Sequence, residues 1–216
     1  MHHKTLLFIT LMFLLVVAFV FSLASRAQAL QEPSVKANEP SSDFQKAHEL
    51  LLKSDMKAAA SEIRKGARFL RQKARSATKE SKEGLTASAQ ELEKLAKDVE
   101  SGAVTSEKQL KDTFARSYDA LSNYEYRRAS ESWAKKKTRE TGQALTEAAQ
   151  DMEQAAKWSD REMEKDTADT VGYARTVGGK LVKGAGWTAD EVDKSIKGVS
   201  SALSKLGEQM EPKDKH

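Results

Sequence analysis

The sequence predicts an all-α protein, an elongated antiparallel bundle of three to four long helices with a short N-terminal helix and an amphipathic C-terminal helix. Three observations carry this expectation. Apolar and small residues recur at steps of three and four along most of the chain, the spacing of one helix face. Only three prolines interrupt 216 residues. Alanine, the best helix former, is abundant where bulky apolar residues are scarce: from Leu30 onward, Leu, Ile, Val, Phe, Met, Trp and Tyr make up 38 of 187 residues and Ala 26. At about 25 cal/mol per Å2, each Ala contributes far less burial than a Leu, so closely approached, long helices must replace a thick core.

The chain opens with a basic start, Met1-His2-His3-Lys4, followed by an apolar run from Leu6 to Leu23 and the small-residue site Ala27-Gln28-Ala29. This pattern predicts a secretory signal over residues 1–29, cleaved after Ala29. The apolar run is eighteen residues long. That approaches the roughly 20 needed to span a bilayer, so an uncleaved N-terminal anchor is the alternative. Both versions keep Lys4 on the cytoplasmic side and place the body in an exported location, periplasmic or secreted. With no Cys, the exported chain has no disulfide framework and no thiol for lipid attachment. Residues 30–42, with Pro33 and Pro40 among polar residues, read as a flexible linker.

The long-helix bundle is expected over residues 43–178. Ser42 and Gln45 fit a capping box for a short first helix carrying Phe44, Ala47 and Leu51 to about Lys53. After a break at Ser54, Asp55 can cap a second helix whose stripe (Ile63, Leu70, Leu85, Leu92, Val99) stays on one face over some 45 residues. Gly102 supplies its stop. A third helix is expected from Ser106, with Gln109 as capping partner, carrying Leu110, Phe114, Leu121 and Trp133. The chain then either turns near Thr138 to Gly142 into a fourth helix or continues as one helix of about 70 residues. The turn is favoured, because a helix of ~105 Å would leave its second half without a partner. The next stripe is Leu145, Met152, Ala155, Met163, Ala174 and Val177; a Gly-rich connector follows at 179–187. Over 188–211, Thr188 and Glu191 form a capping box for an amphipathic helix with Val192, Ile196, Val199, Leu203 and Leu206.

Charge is segregated. Lys57 to Lys79 holds eight basic residues against Glu62 alone, Tyr124 to Arg139 six against two acids, and Glu147 to Asp169 eight acids against three bases. The acidic helix is expected to offset both basic stretches and so fix helix order. Within the second stretch, Arg127, Arg128, Lys135, Lys136, Lys137 and Arg139 interleave with Tyr124, Tyr126 and Trp133. This is a candidate surface for an anionic partner, against the plainer reading of solvated helix charges. Export sets nucleic acid aside and favours anionic lipid headgroups or cell-wall polymers. A second candidate interaction segment is Tyr173, Leu181 and Trp187 among glycines, with self-association, membrane-surface contact or folding back onto the bundle as its three readings.

Catalytic equipment is sparse in the sequence. Beyond the signal only His48 and His216 remain, there is no Cys, and no Glu-x-x-His pair, phosphate loop, dinucleotide fingerprint or Gly-x-Ser-x-Gly appears. No catalytic residue, cofactor or metal site is expected. In its Ala, Lys and Glu content the chain resembles late-embryogenesis-abundant proteins, which implies disorder until drying or membrane binding; three Trp, four Tyr and the capping boxes oppose that implication. Ala47-His48-x-x-Leu51 with Asp55 and Ala58-Ala59-Ala60 is similar to the helix hairpins of tetratricopeptide-type proteins over about 30 residues of common helix composition, and carries no function across. The sequence therefore points to an exported, non-enzymatic helical-bundle interaction or scaffold protein of the cell envelope, such as a stress-related holding protein, with a protein partner or self-association. The alternatives are a small-ligand or metal-responsive periplasmic bundle, or a lipid-surface-binding amphipathic helical protein.

Overall fold

A computed structural model describes residues 40–104 and 106–210. The expected signal or anchor over 1–29, most of the expected linker and the last six residues lie outside the described residues. These are all-helical, with seven helices and no strand: α1 Pro40–Leu52, α2 Met56–Arg75, α3 Lys79–Glu100, α4 Glu107–Ala134, α5 Thr138–Trp158, α6 Lys165–Lys183 and α7 Ala189–Met210. Among them, none is long and apolar enough to cross a membrane.

Each helix packs on the next, and α7 returns onto α4 and α5 while α1 also touches α4. The order of cross-helix pairs follows from short connections. Arg71 of α2 meets Glu93 of α3 at 2.8 Å, and Arg64, seven residues earlier, meets Glu100, seven residues later. At one end of the α4 and α7 pairing, Trp133 donates to Asp193 at 2.7 Å; elsewhere on α7, Gln209 reaches Glu164 at the start of α6, at 3.1 Å.

Between the short first helix and the C-terminal helix the expected three to four long helices are five, α2 to α6, because two apolar stripes run unbroken through turns. The 45-residue face after Asp55 is two helices. Ser76 ends α2, and Thr78, in extended conformation (φ −61°, ψ 163°), starts α3. Leu70, Ala74 and Leu85 are all buried, so both sides of the turn face the core and the stripe shows no gap. Likewise the fourth stripe divides at 159–164 into α5 and α6. The turn expected near Thr138 to Gly142 is present a few residues earlier, at Lys135 to Lys137. The connector begins later than 179: α6 runs through Gly178 and Gly179 to Lys183 and ends at Gly184 in the left-handed conformation.

Helix ends explain why some breaks were hidden. Ser54, Lys136 and Asp160 have φ of 60°, 58° and 52°. At each, the next amide reaches back five residues, Asp55 to Leu50 O, Lys137 to Ser132 O and Arg161 to Ala156 O, while the left-handed residue bonds three back. These are Schellman closures of α1, α4 and α5 built on non-glycine residues, where sequence reasoning looks for glycine. Of the capping expectations, Asp55 accepts from Ala58 N at 3.2 Å, and the Thr188–Glu191 box is reciprocal, Thr188 N to Glu191 at 2.8 Å and Glu191 N to Thr188 at 3.2 Å. Ser106 is the N-cap of α4, without a side-chain bond. Ser42 is no cap, since α1 already begins at Pro40, and Gln45 bonds Glu49 instead.

The core is thin and Ala-rich except around α1. There Phe44 stacks on Phe114 with centroids 4.0 Å apart and meets Tyr118 edge-on at 5.6 Å, and Trp158 closes on Phe114 at 5.0 Å. Gly66 lets this ring in: a Cβ there would stand 2.2 Å from Phe44 Cε1. The short first helix is thus a plug carrying the largest aromatic cluster.

Candidate functional site

The most concentrated chemistry lies where α2, α4 and α5 meet. Glu125, on α4 and only 1% exposed, accepts from Lys73 of α2 at 3.0 Å and from Arg128 one turn away. Arg128 also donates to Glu147 of α5 at 3.0 Å, and Lys73 stands 3.9 Å from the same carboxylate. Two carboxylates thus share two cations, and the Lys73 ammonium lies 5.6 Å over the buried Tyr124 ring. Burial pushes the Glu125 carboxyl well above its ordinary range, and Glu147 beside it pushes the same way, against the pull of Lys73 and Arg128. For Lys73, burial opposes the charge but the two glutamates outweigh it and hold the ammonium above its usual value. The cluster can position three helices, since removing either cation leaves the buried Glu125 with one partner in place of two.

Beside it, the α2–α3 turn forms a small cavity of about 60 Å3 against α4, lined by Ser76, Thr78, Ser81, Tyr124, Arg127 and Arg128, with Ala77 and Glu131. That is room for a water or two and far below the roughly 300 Å3 of a small-molecule pocket.

The predicted anionic-partner residues fall into four groups. Arg127 and Arg128 are engaged within the chain, Arg127 with Glu80 of α3. Trp133 is turned onto α7: its indole donates to Asp193, and its ring meets Trp187 edge-on at 5.7 Å. Lys137 pairs with Glu140 at 2.9 Å and Lys135 loosely with Glu131 at 4.0 Å. Lys136 and Arg139 are exposed and have no ion pair among the described residues. In the second candidate segment, Leu181 is 1% exposed within the core, Trp187 lies on Trp133, and the half-buried Tyr173 carries the Lys194 ammonium 5.6 Å over its ring. These residues fold back onto their own chain. The apolar face of α7 is spent likewise: Val192, Val199, Leu203 and Leu206 are all buried.

The charge pairing differs from the expectation. The first basic stretch is met chiefly by the acids of α3, Glu93 and Glu100, because the turn at 76–78 lays α3 beside α2. Within α2, burial works against the Glu62 charge, but bonds from Lys65 and Lys46 hold the carboxyl below its usual range. Lys73 and Arg128 reach the acidic helix through Glu147, and Lys137 pairs with Glu140 near its start. Farther along it Glu153 pairs with Arg175 of α6. His48 bonds Glu107 at 2.9 Å and packs on Trp158, a structural placement.

Sequence reasoning missed Asp119. One of its carboxylate oxygens is buried without a hydrogen-bond partner among the described residues, and desolvation raises its pKa to about 6. Nothing in its spacing separates it from the exposed acids of α4. No known protein-family model, curated protein or solved structure matches the chain.

Proposed function

We propose that this chain is an exported, non-enzymatic interaction or scaffold protein of the cell envelope, built as an elongated antiparallel helical bundle and suited to a stress-related holding role. The observation that supports this reading is the division of charge between interior and surface. The Lys73, Glu125, Arg128 and Glu147 cluster fixes three helices from within, while exposed cations around the α2–α3 and α4–α5 turns are left for something outside the chain. Rigid helices with unspent surface charge suit binding by complementarity.

The test is photo-crosslinking in cells, with the reactive group at position 79 or 136 of the full chain and at exposed position 205 as control. Discrete adducts in the envelope fraction from 79 and 136, absent from 205, support the reading. A chain that fractionates with the cytosol, or that crosslinks equally from all three positions, refutes it.

A further inference from the structure

The two predicted basic stretches, distant in sequence, are brought together by the fold. Contacts between the α2–α3 turn and α4 place Ser76 to Ser81 against Tyr124 to Glu131. The α4–α5 turn follows within a few residues, about 6 to 10 Å farther along the helix. Around these two turns Arg75, Lys79, Lys82, Lys136 and Arg139 are exposed and have no ion-pair partner among the described residues. The acids nearby without an ion pair are fewer, Glu83 beside α3's start and Asp190 and Asp193 near the start of α7, the last of them accepting from Trp133. The α5–α6 connection, by contrast, mixes exposed Arg161 and Lys165 with Glu162, Asp166 and Asp169.

We infer that this cationic end, formed by the α2–α3 and α4–α5 turns, docks on the headgroups of an anionic phospholipid bilayer by charge alone, without insertion. The inference rests on the envelope reading above and names its surface. Three observations select this occupant. Stacking on single-stranded nucleic acid would need free aromatic rings, yet Tyr124 is buried, the half-buried Tyr126 packs against the core, and Trp133 is bonded to Asp193 and packed on Trp187. Insertion would need a patch of exposed apolar side chains; among the described residues the large ones are Leu52, at the end of α1, and Val182, a single side chain near the end of α6 whose backbone lies against Gly142. In the uncleaved form the apolar run Leu6 to Leu23 is followed by sixteen residues, 24–39, a length of chain with a maximum reach of roughly 50 Å, enough to bring α1 to the membrane that holds the run. Each Lys or Arg at an anionic surface contributes roughly a fivefold gain in partitioning, lost as salt screens it.

The experiment uses the full chain reconstituted in nanodiscs of phosphatidylcholine alone or mixed with phosphatidylglycerol, with lysine acetylation read by mass spectrometry. Lys79, Lys82 and Lys136 should be labelled several-fold more slowly in the anionic discs, regaining their rate in high salt. Exposed and unpaired Lys97, Lys157 and Lys205 should be unaffected. Lys136→Glu should return Lys79 and Lys82 toward their unprotected rates, whereas Lys157→Glu should not. Equal labelling in both discs, or equal protection of the control lysines, overturns the inference. Protection in phosphatidylcholine discs by soluble inorganic polyphosphate as complete as that given by the lipid would overturn the bilayer assignment in favour of a soluble polyanion. If the discs give no protection while discrete envelope adducts still form at 79 and 136, the lipid inference fails and the scaffold reading stands.

Discussion

The crossing of α5 and α6 supplies the sharpest stability test, because two glycines there meet backbone to backbone. A Cβ on Gly142 would lie 2.6 Å from Gly178 O, 2.7 Å from Leu181 Cβ and 2.9 Å from Val182 N; a Cβ on Gly178 would lie 2.7 Å from Gly142 O and 2.5 Å from Thr146 Oγ1. Ordinary carbon contacts begin near 3.5 Å, so Gly142→Ala requires the helices to part by the better part of an ångström. The atoms in the way are mostly backbone and cannot rotate aside. Overpacking of this kind costs about 1–3 kcal/mol, from which the better helix propensity of Ala recovers up to about 1. Gly179, one residue beyond, has open space where its Cβ would go, so Gly179→Ala keeps the propensity gain without the clash. At roughly 2–4 °C per kcal/mol for a domain of this size, thermal unfolding followed by circular dichroism should show Gly142→Ala melting several degrees below the parent and Gly179→Ala a few degrees above it. The double variant Gly142→Ala/Gly178→Ala should cost less than the two singles added, since one helix displacement relieves both contacts. A Gly142→Ala protein that melts above the parent by as much as Gly179→Ala would refute the close crossing.

Other expected outcomes concern charge and helix ends. Lys73→Met leaves Glu125 buried with one fewer cation and should cost about 3 kcal/mol in urea unfolding; adding Glu125→Gln should recover much of it, and strictly additive losses would contradict a coupled cluster. Asp119 has a folded pKa raised to about 6 from an ordinary 3.8, so its contribution is fully present below the unfolded value and is lost as pH rises through about 6. Stability should therefore fall by about 1 kcal/mol through this group between pH 5 and pH 8, with Glu125 adding in the same direction, and Asp119→Asn should flatten the dependence. A pH 5 to 8 profile unchanged by Asp119→Asn would refute the assignment. Lys136→Gly relieves a left-handed conformation and should raise the urea midpoint by an amount equivalent to about 1 kcal/mol; a loss of stability would mean that the lysine side chain is held by contacts that outweigh the strain.

The sequence made helix content legible because periodicity reports which residues face a core. It hid the helix count because periodicity does not report direction. Ile63 to Val99 keeps a single apolar phase through Ser76-Ala77-Thr78, and a hairpin that returns the same face to the same core leaves no gap in the stripe. The same blindness misplaced the charge partners: with α2 and α3 read as one helix, Glu93 and Glu100 counted as distant from Arg71 and Arg64, and the acids of α5 seemed the nearest compensation. The candidate sites divided along a physical line. Residues proposed for apolar or aromatic character, Trp133, Leu181 and Trp187, are drawn inward, because a chain so short of bulky apolar surface uses what it has. Of those proposed for charge, Arg127 and Arg128 are spent on acids of the chain itself, while Lys136 and Arg139, at the turn, stay outside.

That division bears on how such a protein can bind anything. Among the described residues the exposed large apolar side chains are Leu52 and Val182, so the bundle offers no broad adhesive patch there, and the cost of exposing one would fall on a core rich in alanine. Recognition then falls to surface charge, which is inexpensive to display and reaches about 8 Å at physiological salt. Interior charge does a different task. The Lys73, Glu125, Arg128 and Glu147 cluster contributes little net stability, yet it penalises any packing of α2, α4 and α5 that strands one member, giving alanine-faced helices the register that their smooth surfaces cannot supply. The unpaired cations at the neighbouring turns are therefore displayed by helices whose order is fixed immediately beneath them, and this is why the turns, rather than the helix faces, are the part of the molecule best able to present a defined charge pattern to a partner.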